Sequence, residues 1–394
     1  MATKKKTTEN KKFKIDDFDA PKKKATSKKS YESYFIGLGG TGNNLLNVIS
    51  KESALIEKPE NQCYYVNFSK TDLSSKFKGT QLLLNSANGE GTGKSLEKGN
   101  EIVKKNIKEL TDFCEKIYKE NFRTDLSEKR LFIISSLGGG TGSSLIPIFL
   151  DYFSEFENIK ITLIPVISSR SEGVTTLPNA LRNFEGIYND YVLTNKVTSC
   201  FMFDNERFEN DDNSYDFNYI NSAMVKTIDN IFDNSFADKS SEGYQALDLN
   251  EKKRVLYFGR GLSDFIQVDL KFKDKIELNS SSILNEKFDR KKTKAVSILI
   301  ETRMKEEELK NDNKVELNSV IKSIKKAIPD AFFVFGYTFN NKILQKGIDY
   351  RVTMILNGLE FPKSIERDIK IASKAVEKIK GKNESFKNET DLSF

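Results

Sequence analysis

Histidine and tryptophan are absent from the 394 residues. Without histidine there is no His-based metal site, no Ser-His-Asp or Cys-His nucleophile pair and no imidazole to move protons near neutral pH. Catalysis therefore has to use carboxylates, hydroxyls, lysines or a bound ion, and no side-chain metal site is expected. Cysteine is scarce and odd in number, at Cys63, Cys114 and Cys200. Cys63 and Cys200 lie in apolar, strand-like runs, as reduced core thiols of a cytoplasmic protein would. No apolar run approaches the ~20 residues of a membrane span, and the lysine-rich start lacks the apolar core of a secretory signal. A charge excess is missing too, outside one tail. Residues 1–30 hold 11 lysines against 4 acidic residues, so with +6 for the whole chain the remainder stands at −1.

What the sequence does have is glycine, concentrated in loops that follow apolar runs. Residues 131–134 (Leu-Phe-Ile-Ile) lead into Ser-Ser-Leu-Gly-Gly-Gly-Thr-Gly-Ser-Ser and then a second apolar run, the order of a buried strand, a glycine turn and a helix. Gly138, Gly139, Gly140 and Gly142 let the backbone lie flush against a ligand, and a helix N-terminus behind such a turn is an anion site suited to a di- or triphosphate. Thr141, Ser143 and Ser144 add hydroxyl donors there. An earlier strand, from Tyr34, ends in Gly37, Gly39 and Gly42 at the spacing of a dinucleotide fingerprint. The next strand, 63–68, carries no carboxylate before Asp72, which weakens a nicotinamide-dependent dehydrogenase. Gly93-Lys94-Ser95 invites a P-loop, but the defining glycine five residues earlier is Asn88.

The Gly-Gly-Gly-Thr-Gly-Ser run after a buried strand resembles the signature loop of the tubulin/FtsZ superfamily of GTPases, with a lean toward its plasmid and phage branch (the TubZ and PhuZ type). Residues 31–359 can be aligned with that pattern. The resemblance implies an α/β fold: an N-terminal Rossmann-like GTPase domain with a parallel sheet, a long core helix and a smaller α+β C-terminal activating domain. It implies GTP or GDP with Mg²⁺, held by Gly39, Gly40, Thr41, Asn43 and Asn44 in a first loop and Asn67 in a second. Gly91, Thr92 and Gly93 form a third, with Lys94 as an extra cation beside it. Gly138, Gly139, Gly140, Thr141, Gly142 and Ser143 form the signature loop. Glu172 and Arg182 fall on the ribose and guanine side. Asn205 and Asn221 match the asparagines that read guanine, whose donors and acceptor an amide suits.

Residues 247–256 resemble the acidic loop that enters the nucleotide site of the next subunit in tubulin-type polymers. Asp248 and Glu251, spaced i, i+3, share one face of a helix start and could polarise the attacking water. The same pair also fits plain helix capping. The expected divisions are a disordered basic extension (1–30), a GTP-binding domain (31–212) and a core helix with its connection (213–245). An acidic loop region and linker (246–290), an activating domain (291–361) and a C-terminal helix and tail (362–394) follow. The expected function is a GTPase that assembles with itself head to tail and hydrolyses GTP at subunit interfaces. Its tails would hold DNA or a DNA-binding adaptor, and a non-polymerising GTP-binding switch and an FtsZ-type division protein are the alternatives.

Overall fold

The computed structural model describes residues 32–84, 91–123, 127–167, 176–207, 216–232, 247–271, 288–302, 312–339 and 347–363, with isolated positions between 272 and 287 and after 363. The N-terminal part runs β1 (Ser33–Leu38), α1 (Gly39–Glu52), α2 (Pro59–Gln62), β2 (Cys63–Asn67), β3 (Thr80–Leu83), α3 (Leu96–Lys105), α4 (Ile107–Asn121), β4 (Lys129–Ser136), α5 (Gly140–Phe153) and β5 (Ile159–Ile167). It continues through α6 (Thr176–Ile187), a π turn (Tyr188–Val192), β6 (Ser199–Cys200), β7 (Phe203–Asp204), a 3-10 turn (Asn205–Arg207) and α7 (Phe217–Phe232).

These strands make one parallel sheet in the order β3-β2-β1-β4-β5-β6, with β7 pairing β5 beyond β6. β1 and β4 are buried almost throughout, as strands covered by helices on both faces must be. Phe35 stacks on Phe132 across the pair at 4.5 Å. The three cysteines are free and buried, and burial pushes the Cys63 and Cys114 thiols up to about 12.

The C-terminal part holds α8 (Leu249–Leu256), β8 (Leu262–Leu270), β9 (Ala295–Thr302), α9 (Asp312–Ala327), β10 (Phe332–Phe339) and β11 (Tyr350–Leu359). Its sheet is ordered β10-β9-β11-β8: β10 runs parallel to β9, while β11 is antiparallel to both β9 and β8.

Two elements differ from the sequence reading. The apolar spacing of Ile102, Val103, Ile107, Leu110, Phe113 and Ile117 predicts one helix over about 96–120, where the structure has two, α3 and α4. The break falls at Asn106, whose Nδ2 donates to Ile102 O at 2.8 Å and competes with the helix ladder. The segment read as linker, 246–290, contains β8, a full edge strand of the second sheet. Among the described residues no helix is long and apolar enough to cross a membrane.

Candidate functional site

The register of the parallel sheet sets the site. Leu38 pairs with Val66 and Ser135, Ser136 pairs with Val166, and Val166 pairs with Phe203. The chain therefore leaves β1, β2, β4 and β7 at nearly one level, and the loops beginning at Gly39, Phe68, Leu137 and Asn205 share one edge. β1 and β4 are neighbours although β2 and β3 lie between them in sequence. Their adjoining C-terminal ends form the switch point where doubly wound sheets bind ligands.

Two helices start there without protection. α1 begins at Gly39 and α5 at Gly140; neither N-cap makes a side-chain hydrogen bond, and neither first turn has an acidic residue. Their uncapped N–H groups and positive dipole ends suit an anion. The glycines are there for close approach. Gly39 has φ 72°, and a Cβ on it would stand 3.2 Å from Gly142 N. A Cβ on Gly42 would stand 2.4 Å from Ile134 O. A Cβ on Gly140 would meet Ser95 O at 2.1 Å and Thr92 Oγ1 at 2.5 Å, so the third loop is packed directly on the start of α5. Gly139 and Gly93, in contrast, face open space, and a methyl added to either would meet no atom within 4 Å.

The expected site residues divide by what their side chains do. Asn43 is fully buried under the first loop; its Nδ2 donates to Val66 O at 3.3 Å and its Oδ1 has no partner among the described residues. Thr41 and Asn44 are exposed. Asn67 Oδ1 accepts from Phe68 N at 2.8 Å and Ser69 N at 3.2 Å, so this side chain shapes the second loop. The hydroxyls of Ser143 and Ser144, read as phosphate donors, are engaged inside the protein. Ser143 Oγ lies 2.9 Å from Leu137 O and 2.8 Å from Gly139 O, and Ser144 Oγ donates to Thr141 O at 3.1 Å. Thr141 is half-buried at the rim.

Gly91, Gly93 and Lys94 all have φ between 55° and 74°, a left-handed path that carries the third loop over α5. Arg182 is exposed on α6, Asn205 is buried in the turn after β7, and Asn221 is half-buried on α7. Glu172 lies outside the described residues.

Sequence reasoning missed two contributors. Asp72 places a carboxylate oxygen 3.5 Å from where a Cβ on Gly40 would stand, beside the first loop, and accepts from Asn67 Nδ2 at 3.5 Å. Asn183, next to Arg182, donates to Leu137 O at 2.9 Å and Ser143 Oγ at 3.0 Å, tying α6 to the signature loop. The Asn-x4-Asp spacing from 67 to 72 carried the first signal; nothing local carried the second.

The acidic pair lies elsewhere. Asp248 is the N-cap of α8, with Oδ1 accepting from Asn250 N at 2.7 Å and Glu251 N at 3.2 Å. α8 is fixed against the start of β4. Lys253 pairs with Glu128 at 3.2 Å, and Arg130 donates from Nε to Tyr257 OH at 3.0 Å and from Nη1 to Phe232 O at 3.2 Å. Asn357 Nδ2 closes the helix on Val255 O and Leu256 O at 3.1 and 3.0 Å. β4 is 8 residues long, so its two ends lie ~23 Å apart. The glycine loops are at one end and α8 at the other.

A parallel sheet in this order, with glycine loops and two uncapped helix starts at its switch point, defines a doubly wound nucleotide-binding protein. Residues 32–212 match the Tubulin/FtsZ family, GTPase domain, and this part of the chain is identified with that family. Among curated proteins, none matches the chain in sequence.

The fold is similar to that of TubZ from Bacillus thuringiensis serovar israelensis in a GTPγS-form protofilament, at 14% identity, covering 89% of this chain and 94% of that one, TM-score 0.66. CetZ2 from Haloferax volcanii, a GTPγS-bound protofilament, is similar at 15% identity over 89% of this chain and 99% of that one, TM-score 0.63. FtsZ of M. jannaschii, an empty dimer, is similar at 17% identity over 85% and 93%, TM-score 0.55.

Proposed function

We propose that this protein binds GTP on the glycine loops and assembles head to tail, so that the acidic start of one copy's α8 completes the nucleotide site of the next. The separation of the two ends along β4 carries the reading. α8, which carries Asp248 and Glu251 at its start, is anchored at the beginning of β4, and the glycine loops lie at the other end of that strand, ~23 Å along it and beyond the reach of any side chain. An interface that joins unlike ends and does not close gives a filament. The protofilament forms of the TubZ and CetZ2 relatives support it.

In this reading the N–H groups at Gly39, Gly40, Gly139 and Gly140 hold the phosphates, with Thr141 at the rim. The partner subunit's Asp248 and Glu251 orient and polarise the water that attacks the γ-phosphorus, and GDP and phosphate leave. Mg²⁺ on the phosphate oxygens would neutralise developing charge. Asp72, beside the first loop, would supply a carboxylate to hold it alongside the phosphates. Asn205 and Asn221 read the base, and Glu172 and Arg182 lie toward the ribose.

The test is GTPase rate against protein concentration with Mg²⁺, with light scattering recorded in the same cuvette. Turnover per subunit should rise above a threshold concentration together with scattering. Constant turnover per subunit and flat scattering would instead make the protein a monomeric GTP-binding switch.

A second check uses Gly336. A Cβ there would stand 2.5 Å from Leu247 N and push away the chain entering α8. Gly336→Ala is expected to leave GTP affinity unchanged while hydrolysis drops on the order of 10- to 100-fold, a displaced catalytic group being costly even at ~1 Å. Equal losses in binding and turnover would count against it.

The cargo assigned to the filament is plasmid or phage DNA, supported by the 11 lysines of residues 1–30. Filaments should co-sediment duplex DNA at low salt and release it as salt rises; no DNA in the pellet at low salt would remove that assignment.

A further inference from the structure

A buried charge cluster in the second sheet has no part in the mechanism above. Asp264 on β8 is fully buried, and Arg290 is 3% exposed. Arg290 Nε donates to Asp264 at 3.0 Å, its Nη2 to Ser282 Oγ at 2.6 Å and Leu284 O at 2.8 Å, and its Nη1 to Phe288 O at 2.8 Å. Ser282 Oγ in turn lies 2.6 and 2.7 Å from the two Asp264 oxygens. A buried ion pair seldom adds net stability over an apolar replacement, so geometric definition is the return to look for.

The group most closely defined is Ser282. Its hydroxyl is held by the pair, its backbone bridges antiparallel to Ile266, and Ile283 N donates to Phe265 O at 3.2 Å. The free face of that anchor meets the nucleotide domain, where Arg207 Nε donates to Ser282 O at 3.1 Å. Arg207 ends the Asn205–Arg207 turn. On the other side of Asn205 the same strand holds the chain again: Phe201 bridges parallel to Ser263, and Cys200 N donates to Ser263 Oγ at 3.2 Å. The turn is thus pinned to β8 and its cluster both before and after Asn205.

We propose that the Asp264–Ser282–Arg290 cluster, acting through Arg207, is the positioning device that holds Asn205 for base recognition, so that purine specificity is set from the second sheet. This rests on the reading of Asn205 as a base contact. An amide discriminates only while its donor and acceptor are held in one orientation, because a turn free to swing lets either end meet either base edge. Arg207 and Ser282 are positioning residues; they need not touch the nucleotide.

The experiment measures affinities of the full chain for GTP and for inosine triphosphate, which keeps the ring and triphosphate but lacks the 2-amino group. Wild type should prefer GTP by about tenfold or more. Arg207→Ala should lower that preference by about tenfold, one hydrogen bond's worth of discrimination, while its affinity for inosine triphosphate holds. Arg207→Lys should retain part of the preference. Ser282→Ala, which leaves the carbonyl in place but removes the hydroxyl's bonds to Asp264 and Arg290, should shift the ratio the same way by less. Equal loss of both nucleotides in Arg207→Ala, or an unchanged ratio, overturns the proposal while leaving the site reading intact. A wild type that binds both equally, or neither, overturns the base reading and the proposal with it.

Discussion

Gly139→Ala is expected to fold normally and to bind GTP about ten- to a hundredfold more weakly than wild type. Gly139 is the N-cap of α5 with φ −100° and ψ 154°, an extended conformation that alanine adopts without strain. A Cβ there meets no atom of the protein within 4 Å. The cost to stability is then the small difference between glycine and alanine at a cap, and the melting midpoint should stay within about 2 °C. The methyl would occupy the space in front of the α5 N-terminus. If phosphate oxygens lie there, at least one charge-assisted hydrogen bond is lost, each worth roughly 1.5–3 kcal/mol. Gly140→Ala would not make the same point. Its Cβ would strike the Ser95 carbonyl and the Thr92 hydroxyl, so any loss of binding would come with a disrupted loop. Calorimetric titration with GTP, paired with thermal melts, separates the two. A Gly139→Ala protein with wild-type affinity would mean that the phosphates do not sit on α5.

The glycine loops were legible because each follows an apolar strand and opens a helix, and because a parallel sheet brings such junctions to one edge whatever the sequence distance between them. The division of labour inside the loops was not. Ser143 looks like a phosphate donor in sequence, yet two carbonyls, of Leu137 and Gly139, lie within 3 Å of its hydroxyl and Asn183 approaches from another helix. A hydroxyl's partners depend on loop curvature, which composition does not encode. β8 escaped because a strand with a buried aspartate reads as polar. Arg290, 26 residues on, and Ser282, 18 residues on, compensate the buried charge of Asp264. The Arg207–Ser282 contact likewise spans 75 residues and leaves no local periodicity. For Asp248 both readings of the sequence remain compatible: it caps α8, and being exposed it remains available to another molecule.

Those two roles of Asp248 can be pulled apart. Asparagine caps a helix about as well as aspartate, so Asp248→Asn should keep the bonds from Asn250 N and Glu251 N and cost only the charge–dipole contribution, roughly 0.3–1 kcal/mol. Its carboxylate is gone, and with it the group that polarises water. GTP hydrolysis should fall by about 10²–10⁴-fold while GTP binding and filament assembly persist, and Glu251→Gln should behave alike. Asp248→Ala should lose the same turnover and, in addition, about 1 kcal/mol of stability. Wild-type hydrolysis in Asp248→Asn would reduce the residue to a cap.

The head-to-tail arrangement makes a stronger demand when variants are mixed. Asp248→Asn keeps an intact nucleotide end, and Gly139→Ala keeps an intact acidic end. At GTP concentrations too low for Gly139→Ala to bind, neither protein hydrolyses alone. Mixed one to one, random pairing places the good nucleotide end against the good acidic end at about a quarter of the interfaces, and hydrolysis should return toward that fraction of the wild-type rate. An active site built within one molecule cannot be complemented in this way, so a mixture as inactive as its parts would reject the shared site even if both single variants behaved as expected.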